Sequence, residues 1–387
     1  MRKILAKVMA AIIAVALIGS LAACGSDSET TTAATEGGDT TTQAAGDSDS
    51  VVVAGIDGNF ISLKSIKEGK VYATAYDWSI LQGYDAVYQA IDLIEGKSVP
   101  ETTTSPDTII TEENIDEFYE HGEELDAWTI GEPITELSDY IVDFIAKGEA
   151  MSTDYSPATG EVKDKGYKLG IVVKTATNAH FQDICYGAAI AAYETGCTIT
   201  MDYCNAESEV LEQVQKCENM IAAGIDALIL TPNDSSGVSA AVNAAHDAGI
   251  PFVTVDTTIT NEWGDNVKEY CPNYIGVNHE QMAYDLAKQV FESMGNEGNV
   301  VIMRGVDAVS SSNERTSGFK KAVEDTPGMT IVDEQSGEYD QDKAAQKMAD
   351  MIQGNAKDVD VVLCCNDLMA CGVQIALEEN GYTVAPR

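Results

Sequence analysis

The residues best suited to chemistry in this chain stand at the ends of apolar runs. GIDG puts Asp57 directly after such a run, YATAYD puts Asp77 there, PFVTVDT puts Asp256 there, and VVLCCND puts Asn366 there. IVVKTATNAHF places Asn178, His180 and Phe181 just beyond another. Carboxylate and amide groups each handle two hydrogen bonds at once, which suits vicinal hydroxyls. An aromatic or imidazole face covers the C–H surface of a polyhydroxylated ring. An Asp after a strand serves equally well as a helix N-cap, and Asp367 and Asp234 are read that way. Trp78 and Trp263 are read as packing residues. It is the convergence of several polar strand ends that points to a site.

Catalytic patterns are missing from the sequence. There is no GxSxG, HExxH or Walker loop. The four histidines, at 121, 180, 246 and 279, have no metal-ligand spacing. The chain is therefore read as a binder rather than an enzyme, with no cofactor and no metal. The cysteines at 185, 197, 204, 217, 271, 364, 365 and 371 form no CxxC pair. Cys364 and Cys365 lie inside an apolar run, where they behave as small hydrophobes. Mostly buried free thiols are expected.

The elements that must position these side chains alternate. From Tyr167 onward, apolar strand-length runs (YKLGIVV, TITMDYC, DALILTP, PFVTVDT, NYIGVN, NVVIMRG, TIVDEQ, DVVLCCN) are interleaved with segments of helical period. Continuous apolar strands between helices mean a parallel sheet covered on both faces. The number of units exceeds one ordinary sheet, so an α/β fold of two doubly wound lobes is expected. Ligands of such sheets lie outside the carboxyl ends of the strands, where the polar residues above are found. Residues 51–110 repeat the alternation. Residues 117–165 carry thirteen acidic and three basic residues. They contain one amphipathic segment, PITELSDYIVDFIAKG, and otherwise read as loop.

The chain has 387 residues, 63 of them acidic and 23 basic, for a formal charge of -40. Phosphate repels so acidic a surface, which excludes nucleic acid as a partner. Residues 1–23 have the form of a secretory signal: Arg2, Lys3 and Lys7, then an apolar run too short to span a bilayer. The ending Leu21-Ala22-Ala23-Cys24 resembles the bacterial lipobox, which implies cleavage before Cys24 and lipidation of its sulfur. Residues 24–50, rich in Thr, Ser, Gly and acids, read as a disordered tether. The expected location is extracytoplasmic, lipid-anchored to the cell membrane.

The stretches YKLGIVVKTATNAHF, DALILTPND, GIPFVTVDT, YIGVNHEQMAYDLA, NERTSGF and VVLCCNDLMACG, in that order, resemble the type I periplasmic sugar-binding proteins of ABC importers. VVVAGIDGN followed by IKEGKVYATAYDWSILQGYDAVYQAIDLIEGKSVP and TIITEENID resembles the C-terminal end of the same family, yet here it comes first. The resemblance implies a circularly permuted chain. One lobe holds 51–77, 108–116 and 278–387; the other holds 78–107 and 166–277; the acidic stretch 117–165 links the family's old termini. It also implies a ligand set of Asn178, His180, Phe181, Asp256, Asn366, Asp57 and Asp77. Tyr339 falls where the family often stacks an aromatic on the sugar, and Asn313 where many members have a ligand-binding Arg. Arg315 matches a family Arg of structural role, and Thr257 stands where the ribose binder has another Arg. Lys174 belongs either in the cleft or at its mouth. Three carboxylates with no Arg among them disfavour anions. A neutral monosaccharide or polyol is expected, with an amino-bearing ligand left open. The implied function is capture of that sugar by a monomeric protein and delivery to ABC permease membrane subunits. The alternative is a sensor presenting the sugar to a membrane signalling partner.

Overall fold

The computed structural model describes residues 50–385, apart from 153, 156, 158–163 and 261–266. The signal, Cys24, the tether up to 49 and Trp263 lie outside the described residues. In chain order the elements are β1 (Ser50–Ile56), α1 (Phe60–Lys67), β2 (Ala73–Tyr76), α2 (Ser79–Ile94), β3 (Thr102–Thr104), β4 (Thr108–Ile110), α3 (Asp116–Asp126) and α4 (Asp139–Glu149). Then come β5 (Lys168–Val173), α5 (Ala179–Thr195), β6 (Thr198–Tyr203), α6 (Val210–Ala222), β7 (Ala227–Leu230), α7 (Ser239–Asp247), β8 (Phe252–Val255), α8 (Val267–Tyr270) and β9 (Tyr274–Gly276). The last are α9 (His279–Ser293), β10 (Gly298–Arg304), α10 (Ser310–Glu324), β11 (Met329–Ser336), α11 (Gln341–Gln353), β12 (Val361–Cys364), α12 (Asp367–Glu379) and β13 (Thr383–Val384).

Two sheets result. One runs β11-β10-β12-β1-β2-β4, with β13 also pairing β1; the other runs β3-β9-β8-β7-β5-β6. Every pairing is parallel except β2 with β4. β2, β7, β8 and β12 are buried at every residue, as helices on both faces require. β6, an edge strand, is only partly covered. Seven of the eight cysteines from 185 onward are buried, and Cys197 is half-buried. The chain passes between the sheets after β2, between β3 and β4, after β9, and through α3 and α4.

Helix starts after the strands are capped by the side chains the sequence supplies. Asn178 accepts from the His180 N–H at 3.1 Å, Asn366 from Met369 at 2.9 Å and Asp340 from Lys343 at 2.8 Å. Gly196, at φ 68°, ends α5 in the left-handed conformation.

The acidic stretch is more structured than its composition suggests. It forms two helices, of which α3 was not expected. Phe118, His121, Gly122 and Leu125 of α3 are buried, a spacing that makes one helical face. That face meets both halves of the molecule. Tyr119 packs its ring edge-on to Phe60 of α1 with centroids 5.0 Å apart. His121 Nε2 lies 3.0 Å from Asp183 of α5. Phe144 of α4 stacks on Trp78 at 4.8 Å. The aromatic nest thus encloses the crossing between β2 and α2.

α2 and α5 touch backbone to backbone. A Cβ on Gly83 would lie 1.8 Å from the Ile184 carbonyl oxygen, and one on Gly187 would lie 1.8 Å from that of Ile80. Gly187→Ala is therefore expected to lower unfolding free energy by about 1–3 kcal/mol, although alanine is the better helix former. Urea unfolding measures this, and an unchanged midpoint would refute the close approach.

Candidate ligand-binding site

The three strand-end carboxylates meet between the sheets. Asp57 follows β1, Asp77 follows β2 and Asp256 follows β8, and all three are at most 3% exposed. Asp57 and Asp256 have φ of 118° and 64°, a backbone that costs on the order of 1–3 kcal/mol per residue. The ion network they enter offsets that cost.

Arg315 on α10 is the centre of that network. Its Nη1 donates to Asp57 Oδ1 at 2.9 Å and to the Cys365 carbonyl at 2.7 Å, and its Nη2 lies 3.4 Å from Asp77 Oδ2. Its Nε donates to His279 Nδ1 at 3.2 Å. His279 Nε2 in turn donates to the Asp256 carbonyl at 2.9 Å, which fixes the tautomer. On the other side, Lys174 Nζ donates to Asp256 Oδ2 at 2.9 Å and to Thr257 Oγ1 at 2.7 Å. Asn178 donates to Asp57 at 3.2 Å and accepts from Asn59 at 2.9 Å. His180 stands among the carboxylates, with Nδ1 3.4 Å from Asp77 and Nε2 3.3 Å from Asp256. Neither nitrogen makes a well-directed hydrogen bond, so these are ionic contacts.

The electrostatics follow from burial and pairing. For His180, burial opposes the charge, but Asp77, Asp57 and Asp256 prevail and hold it well above the usual imidazole range. Burial likewise opposes the charge of Asp256, and Lys174 and His180 prevail to hold it well below the carboxylate range. For Asp57, burial wins over Arg315 and His180 and raises it. His279, buried beside Arg315, is held down to about 4. Three carboxylates thus face three cations: Lys174, His180 and Arg315.

Several expectations change. Arg315, expected to be structural, lines the cavity, so the cleft does hold an arginine. Asn313 does not reach it: it is exposed and donates to the Asp307 carbonyl at 3.0 Å. Ser311 and Arg315, one helical turn apart, share the inward face of α10, and Asn313, two residues from each, falls on the opposite face. Asn366 is fully buried as the cap of α12 and is not among the cavity-lining residues. Asp77 stands behind Arg315 and His180. Asn178, His180, Phe181, Asp57, Asp256 and Tyr339 do line the cavity, and so does Lys174. Tyr339, at φ 59°, lays its ring against Gly305, where any Cβ would clash at 2.2 Å. Asp234, read as a helix N-cap, instead closes a turn by accepting from the Ser236 and Gly237 N–H groups, and Val238 is the cap position of α7. Asp367 instead accepts from the Asn59 N–H and from Thr74, both at 2.8 Å. Glu207 and Ser311 escaped the sequence reading. Glu207 lies in an irregular loop with no periodic signal, whereas Ser311 was readable one turn before Arg315.

The halves are closed on each other. Ser235 N–H donates to the Ala308 carbonyl at 3.2 Å, and Ser310 N–H to Ser235 Oγ at 3.2 Å. The cavity between them measures about 10 Å³, the room of a single water. Asp57, Asp77 and His180 bring ligand atoms within 4.8 Å of one another, and the Arg315 guanidinium takes a cation's place between the two carboxylates.

Removing one member of a buried pair strands its partner. Asp256→Ala, which leaves Lys174 uncompensated, is expected to cost about 3–5 kcal/mol of stability by denaturant melt; an unchanged melt would show that the pair does not form. The low His279 value adds an acid-side effect. A base depressed on folding contributes stability above its unfolded value near 6.5 and loses it as pH falls toward about 4. His279→Gln is therefore expected to lose less melting temperature than the parent between those limits.

Residues 169–386, more than half the chain, match the family model described as a periplasmic binding protein domain. The ribose import binding protein of Bacillus subtilis is 29% identical over 226 residues, which cover 57% of this chain and 68% of that protein. The D-apiose import binding protein of Actinobacillus succinogenes is 26% identical over 239 residues, covering 62% and 74%. A crystal structure of an ABC transporter periplasmic solute-binding protein from A. succinogenes 130z with bound D-allose superposes with a TM-score of 0.51 at 29% identity, covering 56% of this chain and 74% of that one. With two largely parallel sheets and polar strand ends facing one cavity, the chain belongs to the periplasmic binding protein family.

Proposed function

We propose that this protein is an extracytoplasmic solute-binding protein that captures a neutral monosaccharide or polyol between its two lobes and delivers it to an ABC importer. The carrying observation is the cavity itself. Asn178, His180 and Asp256 approach from the β5–β9 sheet, and Asp57, Arg315 and Tyr339 from the β10–β12 sheet. Donors and acceptors of both kinds surround it, and the Phe181 ring adds an apolar wall. The closed cavity has room for one water, so the lobes separate to admit a ring, whose hydroxyls then exchange hydrogen bonds with groups on both lobes. Such bridging favours the closed form over the open one, because a ligand shifts an equilibrium only by its differential contacts. The names of the ribose, apiose and allose binders support this ligand class.

Two further readings belong to the proposal. The lipobox at Leu21-Ala22-Ala23-Cys24 supports an acylated anchor. The circular permutation is supported by the position of β1, whose residues Val52–Ala54 pair with Val361–Leu363 of β12 inside the same sheet. β13 lies parallel beside the start of β1, with Val51 opposite Val384. In this reading the family's last segment has moved to the front, and α3 and α4 bridge the former termini.

Thermal-shift screening over pentoses, hexoses and inositols tests the binding reading, since a ligand of the folded form raises its melting temperature. At least one neutral sugar is expected to stabilise, and calorimetry should show Asn178→Ala weakening it by about 10-fold or more. A panel with no stabilising sugar refutes the proposal. Cys24→Ser is expected to release the protein from membranes into the soluble fraction, and retention there would remove the anchor. A chain reordered so that 166–387 precedes 51–116 should still melt cooperatively and bind the same sugar. Loss of both would count against the permutation.

A further inference from the structure

Three of the four carboxylates near the cavity have fixed cationic partners: Asp57 and Asp77 with Arg315, and Asp256 with Lys174. Glu207, in the loop between β6 and α6, is the fourth. It is 8% exposed, lines the same cavity, and has no hydrogen bond or ion pair among the described residues. Lys174, the nearest basic group acting on it, is committed to Asp256 and Thr257. Across from it, Tyr339 of the other lobe is 7% exposed; Ser311 acts on its hydroxyl, which makes no well-directed hydrogen bond.

Glu207 and Tyr339 mark a boundary, because both also line an outer groove of about 670 Å³. Asp307, Glu338, Asp340 and Asp342 contribute acid to that groove. Its one basic lining residue, Lys343, is held by Glu338 at 2.6 Å. Arg304 pairs with Asp307 as well, so Asp340 and Asp342 carry the net negative charge of the approach that a cation crosses. At the boundary it meets a carboxylate with no ion pair among the described residues and a hydroxyl with no well-directed hydrogen bond, both nearly buried. A neutral hydroxyl at that point brings no counter-charge, so the buried carboxyl either keeps its proton or carries an uncompensated charge, which is costly. An ammonium would pair with it.

We propose that Glu207 and Tyr339 form an ammonium subsite, and that the preferred ligand is an amino sugar or aminopolyol rather than its hydroxyl parent. This rests on the sugar-binding reading above and narrows it. The ammonium donates to the Glu207 carboxylate and to the Tyr339 oxygen, one from each lobe, so it also holds the lobes closed. Burial raises the Glu207 carboxyl to about 7; Lys174 and His180 oppose this, and Asp57 and Asp256 add to it. Arg315 and Ser311 complete the surrounding wall. Slightly below neutral pH the empty site thus carries a proton on much of its Glu207. Pairing with an ammonium requires the carboxylate form, so amine binding expels that proton.

The test is calorimetric titration of the mature chain with amine and parent side by side: glucosamine and glucose, galactosamine and galactose, mannosamine and mannose, an inosamine and its inositol. In at least one pair the amine is expected to bind about tenfold tighter or more at pH 7. In Glu207→Gln that ratio is expected to fall to near one. Repeating the wild-type titration at pH 6.5 in buffers of different ionisation enthalpy should show net proton release for the amine and none for the parent, a readout independent of how the variant folds. Parents that bind with no amine advantage overturn the subsite and leave the sugar reading standing. So does an advantage that survives in Glu207→Gln, or amine binding without proton release. A panel in which nothing binds overturns both.

Discussion

A guanidinium removed from water costs several kcal/mol unless its donors are matched, and the geometry around Arg315 answers that constraint. Its partners come from the ends of β1, β2 and β12 and from the first residue of α9. Strand ends that would otherwise be independent loops are tied to one planar group with fixed directions. The two strained aspartates follow from this: with positive φ they turn back toward the cavity instead of running on into the next helix. His279 is neutral for the same reason, because burial and Arg315 leave no place for a second charge.

The network divides the site into two kinds of polar group. Asp57, Asp77, Asp256, Lys174 and Arg315 hold one another, and Asn178 both caps α5 and bridges to Asn59. With the His180 imidazolium beside them, three cations face three carboxylates and the charges compensate. The remaining polar side chains, Glu207 and Tyr339, are nearly buried and stand outside that ion network. Buried groups without partners cost on the order of 1–3 kcal/mol each.

The sequence carried the architecture because apolar runs such as VVVAGI and ALIL have only one use at that length. The strand-end acids were legible because each interrupts such a run. Arg315 and Asn313 were harder, since motif matching ranks positions and α10 turns them to opposite faces; the buried stripe Arg315, Gly318, Phe319, Ala322 shows which face is inward. α3 hid behind its composition: DEFYEHGEELD is mostly acid, and its four buried residues make one face only when the period is counted. Glu207 had no local signal at all, because its burial is created by the other lobe closing over it.

The segment 116–149 bears on how that closure proceeds, since α3 touches α1 on one side of the cleft and α5 on the other. The two seams are unequal. Toward α1 lie the Phe60–Tyr119 ring contact and the pairs Lys64–Asp126 and Lys67–Asp116, whose side chains are 39% to 90% exposed. Exposed pairs contribute about 0–1 kcal/mol each, and the ring contact about 0.5–1.5 kcal/mol. Toward α5 lie the buried His121–Asp183 contact, the Tyr186–Glu124 bond at 2.9 Å, and Gln182 donating to the carbonyls of Leu125 and Trp128. α4 adds Phe144 against Trp78 at the start of α2, on the same lobe. Breaking the His121 contact takes the charged-contact partner from a desolvated Asp183, which keeps only the Tyr76 and Ser79 hydroxyls, and costs more than losing an exposed pair. Although Gly122 also packs on Phe60 and Leu63, and Lys67 lies over the Tyr119 ring, opening is expected to run along the α1 seam, with the acidic segment travelling with α5. Spin labels at Glu123, Lys64 and Tyr193 report this directly: on opening, the distance from α3 to α1 should lengthen while that from α3 to α5 holds, and the reverse pattern would assign the segment to the other lobe.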